Sequence, residues 1–205
     1  DNPVINDRSF GENRYQVAAK AIYYHRGLSS AKVMACAKHF PGHGDTDTDS
    51  HYDLPVINHP TSRLDSLEFF PFKALIEDGV PSIMIAHLHV PSLDGRANRP
   101  TTLSKKVVTG ILREQWNYNG LIFTDALEMQ GVLKFFKPGE VELESFKAGN
   151  DILLLPQNID AAISRLKKAL NTGEISEAQL EERVKRILKS KYRLHLDKNV
   201  QVDLD

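Results

Sequence analysis

Residues 120–129 read Gly-Leu-Ile-Phe-Thr-Asp-Ala-Leu-Glu-Met. The run Leu121 to Thr124 is apolar at nearly every position, which is typical of a strand buried on both faces in a parallel sheet. Asp125 follows it directly. A carboxylate there is costly to desolvate unless it is paired or has a chemical role, but aspartate also favours the N-cap of a following helix. On this segment alone the two interpretations are equally good.

Three more short apolar runs predict strands, and helical patterns lie between all four. Serine is expected at two helix starts, and glycine at three helix ends. This alternation indicates βα units and a parallel α/β sheet of about four strands. A closed (β/α)₈ barrel of roughly 250 residues needs eight, so the pattern fits either a smaller open sheet or the second half of a barrel. The further predicted strands are Lys32 to Ala37, Ser82 to Ala86 and Asp151 to Leu155. The helix starts are expected at Ser104 and Ser176, and the helix ends near Gly27, Gly79 and Gly173. Helices are also predicted at Leu67 to Ile76 and around Ile159 to Leu170.

The composition of the 205 residues is that of an ordinary folded domain, with 41% hydrophobic and 26% charged residues. A formal net charge of -1 provides no basic excess for nucleic-acid binding. No apolar run approaches the roughly 18 residues of a membrane span, and no signal-peptide pattern opens the chain. The single cysteine, Cys36, is predicted to be buried and inert, and it leaves the cellular compartment undecided. The opening Asp1-Asn2-Pro3 suggests a processed or truncated product.

The most unusual segment, residues 38–51, reads Lys-His-Phe-Pro-Gly-His-Gly-Asp-Thr-Asp-Thr-Asp-Ser-His. It follows a predicted strand, and the loops after parallel strands carry the chemistry in α/β folds. Calcium binding of the EF-hand type is rejected, because Ser50 and Val56 occupy the places of its glycine and glutamate. Zinc bound by His39, His43, His51 and an aspartate remains a weaker alternative, because the spacing matches no HExxH helix.

Acid–base catalysis by a histidine–aspartate pair is the third chemistry. Asp49 and His51 are two residues apart, so both side chains point to one side of an extended segment. The carboxylate can then orient the imidazole and stabilise its charged form, leaving the other ring nitrogen for a substrate. Together with Asp125, such a loop favours glycoside cleavage, which needs a proton donor and a carboxylate nucleophile.

These residues resemble family 3 glycoside hydrolases, and specifically the β-N-acetylglucosaminidase branch. The resemblance rests on residues 38–46, Asp49 to His51, and Leu54-Pro55, with further matches in order along nearly the whole chain. Those further matches are Asp7 to Gly11, Ile85 to His87, Pro100 to Ser104 and Thr124 to Leu127. The resemblance implies a (β/α)₈ barrel, a retaining mechanism that uses no cofactor, and release of terminal N-acetylglucosamine, with peptidoglycan fragments as natural substrates.

It also assigns roles to individual residues. By resemblance the nucleophile is Asp125, the acid/base is His51 with its partner Asp49, and the sugar-binding residues are Arg8, Lys38 and His39. Without the resemblance, Arg8 would be interpreted as a surface ion pair with Asp7 or Glu12, and Lys38 as a solvated charge. Three other residues are expected not to touch the sugar: His87 is predicted to be a core histidine, while His43 and Asp45 shape the loop.

The family pattern also includes an earlier acidic sugar-binding segment that this sequence lacks. The resemblance therefore implies that residues 1–195 form the C-terminal half of the catalytic barrel, with 196–205 as a tail. The first half would come from another chain, or the piece would self-associate. A phosphorylase on the same framework and an inactive or metal-binding module are the alternative functions.

Overall fold

A computed structural model describes residues 5–46 and 53–198. These residues form an α/β fold, with helices on either side of each strand in the sequence. The strands are β1 (Cys36–Phe40), β2 (Ser82–Ile85) and β3 (Leu121–Thr124). The α-helices are α1 (Arg14–Ser30), α2 (Thr61–Ser66), α3 (Phe69–Glu77), α4 (Gln130–Leu133), α5 (Glu140–Ala148), α6 (Ile159–Asn171) and α7 (Glu177–Arg193). Short 3₁₀ helices lie at Asn6–Arg8 and Thr101–Leu103, and a π-helix spans Lys106–Gln115.

The three strands are parallel and adjacent in the order β1-β2-β3, which confirms the predicted parallel α/β sheet. Strands β2 and β3 lie where the sequence predicted them, whereas β1 begins four residues after its predicted start at Lys32. The reason is that α1 continues through Gly27 to Ser30, and the chain then turns at Lys32, whose φ is 60°. The prediction that α1 ends at Gly27 was therefore wrong.

The predicted fourth strand, Asp151 to Leu155, is not a strand in the described residues. It makes an isolated parallel bridge, in which Ile152 pairs with Phe123. The backbone pairing with β3 ends there because the Leu154 N–H donates to the Thr124 side-chain hydroxyl, at 2.8 Å, instead of to a backbone carbonyl. Leu155 then adopts a positive φ of 44° before Pro156. The predicted count of about four strands is corrected to three among the residues that the structure describes.

Helices cover one face of the sheet and leave the opposite face partly exposed at Met84 and Phe123. Ile83, Ile85 and Ile122 pack in the main core with side chains from α3 and the π-helix. Met84 and Phe123, at alternate positions, remain partly exposed. On the edge strand β1, Cys36 is exposed, so its predicted burial was wrong. The prediction assumed that both faces of the sheet were covered, but in the described residues helices cover only one of them.

The helix boundaries match the sequence signals in several places. Ser176 caps α7, with its hydroxyl accepting from the Gln179 N–H at 3.2 Å, and Gly79 and Gly173 follow α3 and α6 with positive φ. The next helical segment begins at Lys105, directly after Ser104, and continues from Lys106 as the π-helix. The buried Ser104 hydroxyl accepts the Val107 N–H at 3.4 Å, as predicted for an N-cap, and donates to Asp94 Oδ2 at 2.6 Å.

A buried carboxylate, Asp151, joins β3 to the helices on its covered side. Its side chain is fully buried and bonds to Arg113 Nη2 at 2.6 Å and Arg186 Nη1 at 3.0 Å. It also accepts the Ile122 N–H at 2.8 Å. Burial lowers the pKa of the Arg113 guanidinium, whose Nη1 donates to the carbonyls of Tyr118 and Gly120. Asp151 therefore fixes the strand that ends at Asp125.

None of the helices within residues 5–46 and 53–198 is both long enough and apolar enough to cross a lipid bilayer.

Candidate active site

Asp125 lies directly after β3, at the carboxyl-terminal edge of the sheet. Its N–H donates to Ile85 O at 3.0 Å, which extends the pairing of β3 with β2 by one residue. Its Oδ1 accepts the Ala126 N–H at 2.9 Å, and the side chain remains 18% exposed. The next helix, α4, begins five residues later with Met129 as its N-cap. Asp125 is therefore not a helix cap, and its second carboxylate oxygen is directed to other partners.

That second oxygen faces His39. The distance from His39 Nε2 to Asp125 Oδ2 is 3.9 Å, and the His39 side chain is only 11% exposed. His39 belongs to β1, which is separated from β3 by β2. The pairing register of β1 shifts between Ala37 and Phe40, and such an irregularity redirects side chains near the end of a strand. Two predicted site residues from non-adjacent strands therefore meet above the end of β2.

The charge state of His39 follows from its surroundings. Burial lowers its pKa from 6.5 to about 4, and the positive charges of Lys38 and Arg8, together with His43, act in the same direction. Asp125 opposes them but does not outweigh burial. His39 is therefore a neutral imidazole near pH 7, with one nitrogen able to donate a hydrogen bond and the other able to accept one.

Arg8 and Lys38 contribute positive charge beside His39. Arg8 ends the 3₁₀ helix Asn6–Arg8 and is exposed, and Lys38 is an exposed residue of β1. Both lie close enough to lower the pKa of His39 through their charges. Four of the six predicted site residues, Arg8, Lys38, His39 and Asp125, therefore gather at one edge of the sheet. This arrangement suits a ligand rich in hydroxyl groups that reacts at a carboxylate.

The loop after β1 is held by its own side chains, as predicted for His43 and Asp45. The buried His43 Nδ1 lies 2.8 Å from Thr46 Oγ1, and its ring makes an edge contact with His39 at 6.0 Å between centroids. Asp45 Oδ2 accepts from His59 Nε2 at 2.6 Å and lies 3.8 Å from Arg63. No sequence pattern pointed to His59 and Arg63, because they lie 14 and 18 residues from Asp45.

His87 is a core histidine, as predicted. Its Nδ1 lies 2.7 Å from Thr102 Oγ1 and its Nε2 lies 2.9 Å from Ala126 O. A carbonyl oxygen only accepts, so Nε2 is the donor to Ala126. The buried ring therefore holds the backbone immediately after Asp125, which makes His87 a supporting residue of the site.

Asp49 and His51, the predicted acid/base pair, lie outside the described residues. Within residues 5–46 and 53–198, no three His, Cys, Asp or Glu side chains are grouped so that they could hold a metal ion. The zinc alternative also uses His51, which lies outside the described residues.

Comparison with known proteins shows that the chain is similar to carbohydrate-active enzymes. The family model described as Glycosyl hydrolase family 3 N terminal domain matches residues 1–190. Beta-hexosaminidase A of Pseudoalteromonas piscicida is 36% identical over 213 residues, covering 95% of this chain and 36% of the relative. The structure of a family 3 beta-N-acetylglucosaminidase from Paenibacillus sp. str. FPU-7 superposes with a TM-score of 0.95 at 40% identity, covering 100% of this chain and 39% of that one.

A solved structure with a different activity in its name is also similar. The beta-glucoside phosphorylase BglX, bound to 2FGlc, has a TM-score of 0.93 at 31% identity, with 99% of this chain and 38% of that chain covered. The chain therefore spans less than half the length of each of these three proteins.

Proposed function

Because the chain belongs to glycosyl hydrolase family 3, we propose that it forms part of a retaining glycosidase that releases terminal β-linked N-acetylglucosamine. The observation that carries the proposal is the position of Asp125, whose second carboxylate oxygen lies 3.9 Å from the neutral His39 at the edge of the sheet. The names of the relatives support the sugar, since they include a beta-hexosaminidase and a beta-N-acetylglucosaminidase. Peptidoglycan-derived fragments are the natural substrates that we propose from the family resemblance.

In the first step, the Asp125 carboxylate attacks the anomeric carbon, and the bond from that carbon to the departing oxygen breaks. His51, oriented by Asp49, gives its proton to this oxygen. The product is a glycosyl ester on Asp125 and a free alcohol. In the second step, His51 takes a proton from water while the water oxygen attacks the anomeric carbon. Asp125 leaves as a carboxylate, so the released sugar keeps its β configuration.

Three residues hold the sugar in this proposal. Neutral His39 donates to one hydroxyl of the sugar, and its low pKa keeps it in this form across the neutral range. Arg8 and Lys38 donate to other hydroxyls from the same side. The positive charges of Arg8 and Lys38 also lower the pKa of His39. The residues that bind the sugar therefore also favour the neutral form of His39.

The fold supports a half-barrel interpretation. The strands are adjacent, parallel and covered by helices on one face only, as in one sector of a (β/α)₈ barrel. We propose that residues 1–195 supply the C-terminal half of such a barrel. The uncovered face, with Met84 and Phe123, then contacts the remaining polypeptide, from another chain or through self-association.

The products formed in phosphate buffer test the proposed reaction against a phosphorylase. A hydrolase is expected to release free N-acetylglucosamine, initially as the β anomer, whether or not phosphate is present. The measurement is proton NMR of the intact enzyme with a nitrophenyl N-acetylglucosaminide, with and without phosphate. Sugar 1-phosphate as the main product would instead establish the phosphorylase activity that BglX carries in its name.

A further inference from the structure

Arg63, on α2, is the centre of a charged cluster beneath the loop that follows β1. Its guanidinium bonds to Glu68 Oε1 through Nη1, and its Nη2 lies 3.8 Å from Asp45 Oδ2. Asp45 in turn accepts a hydrogen bond from His59 Nε2 at 2.6 Å. We call these four residues, Glu68, Arg63, Asp45 and His59, the Arg63 cluster.

Glu68 brings the cluster into contact with the loop backbone. A Cβ atom built on Gly42 would lie 2.9 Å from the Glu68 side chain, so only glycine permits this close approach. Gly42 also has a φ of 134°, which disfavours other residues. The Glu68 side chain is 7% exposed, and its Oε2 has no hydrogen-bond partner among the described residues. The cluster therefore contacts the loop at Gly42 and again at Asp45.

The contacts of the Arg63 cluster lie close in sequence to His51, the proposed acid/base. Gly42 and Asp45 follow His39, while Asp45 and His59 lie on either side of residues 47–52, which include Asp49 and His51. The residues that follow this segment are also held by contacts with other parts of the fold. Asp53 accepts from Lys134 Nζ at 2.8 Å, and Val56 forms a parallel bridge with His89.

We propose that the Arg63 cluster positions the loop so that the acid/base His51 reaches the departing oxygen, without itself touching the sugar. This inference rests on the proposed glycosidase function. The ion pairs at Asp45 are largely exposed, and such pairs contribute little to stability. A misplacement of about 1 Å in a catalytic group, by contrast, can cost on the order of 100-fold in rate. The cluster thus acts on proton transfer more than on folding.

The test uses the intact enzyme and two substrates that differ in their need for an acid. A nitrophenolate leaves readily without a proton, whereas the sugar alkoxide of chitobiose does not, and kcat/KM reports this bond-breaking step. Asp45→Asn and Arg63→Gln are expected to lower kcat/KM for chitobiose by about 10- to 100-fold. The same variants should change kcat/KM for nitrophenyl N-acetylglucosaminide by less than about threefold. Arg63→Lys, which keeps the charge, should recover part of the loss.

Asp65→Asn is the matched control, because Asp65 lies on α2 like Arg63 and its exposed ion pair is with Lys73 on α3. It should leave both substrates unaffected. Equal losses on the two substrates would overturn the inference, since a general structural defect acts on both, and so would unchanged kinetics for chitobiose. Neither result alters the assignment of Asp125, whose loss must abolish turnover of both substrates if the proposed function holds.

Discussion

Replacement of Asp125 by asparagine is expected to lower turnover of a β-N-acetylglucosaminide by the intact enzyme on the order of 10⁴-fold or more, as for loss of a nucleophile. An amide cannot form the glycosyl ester on which both chemical steps depend. The fold should be preserved, because the asparagine oxygen can still accept the Ala126 N–H that Asp125 accepts at 2.9 Å. Steady-state kinetics with a nitrophenyl substrate, together with a thermal unfolding curve, measure both effects.

Glu128→Gln is the matched control for this variant. Glu128 lies three residues further along the same loop and is exposed, so its loss should change kcat by less than about twofold. Full activity in a correctly folded Asp125→Asn enzyme would contradict the proposed mechanism.

Asp151→Ala is expected to destabilise the protein by about 3–5 kcal/mol, because it leaves Arg113 and Arg186 without their shared buried partner. The Ile122 N–H also loses its acceptor, at the strand that ends in Asp125. Urea unfolding of the intact protein, monitored by circular dichroism, measures the change. A lower denaturation midpoint with an unchanged slope is the expected result.

The comparison for Asp151 is an exposed ion pair on α7. Glu181 lies 3.0 Å from Lys185, both side chains are well exposed, and Glu181→Ala should cost less than about 1 kcal/mol. If Asp151→Ala were as mild as this control, Asp151 would not be the residue that fixes β3.

Much of the architecture could be predicted because local patterns determine it. The apolar run Leu121 to Thr124 is a strand, Ser176 caps α7, and Asp125 occupies the strand end where chemistry is expected. The predicted burial of Cys36 failed, because an apolar run does not reveal whether both faces of its sheet are covered. The predicted strand at Asp151 failed because the Thr124 hydroxyl replaces a backbone partner.

The candidate site was predictable only in part. His39 and Asp125 were assigned by family resemblance, and their proximity depends on β1 and β3 ending at the same edge of the sheet. The Arg63 cluster could not be predicted, since its members become neighbours only after α2 packs beneath the loop. An isolated arginine on a short helix gives no signal in a sequence. The periodicity of a sequence does not contain the distances between separate helices, strands and loops.

Covalent trapping tests the nucleophile most directly. A fluorinated N-acetylglucosamine analogue that forms its glycosyl-enzyme faster than it is hydrolysed should inactivate the intact enzyme. Peptide mass spectrometry should then find one sugar on the peptide that contains Asp125. A label on any other residue, or inactivation of the Asp125→Asn variant at the same rate, would contradict the assignment of Asp125 as the nucleophile.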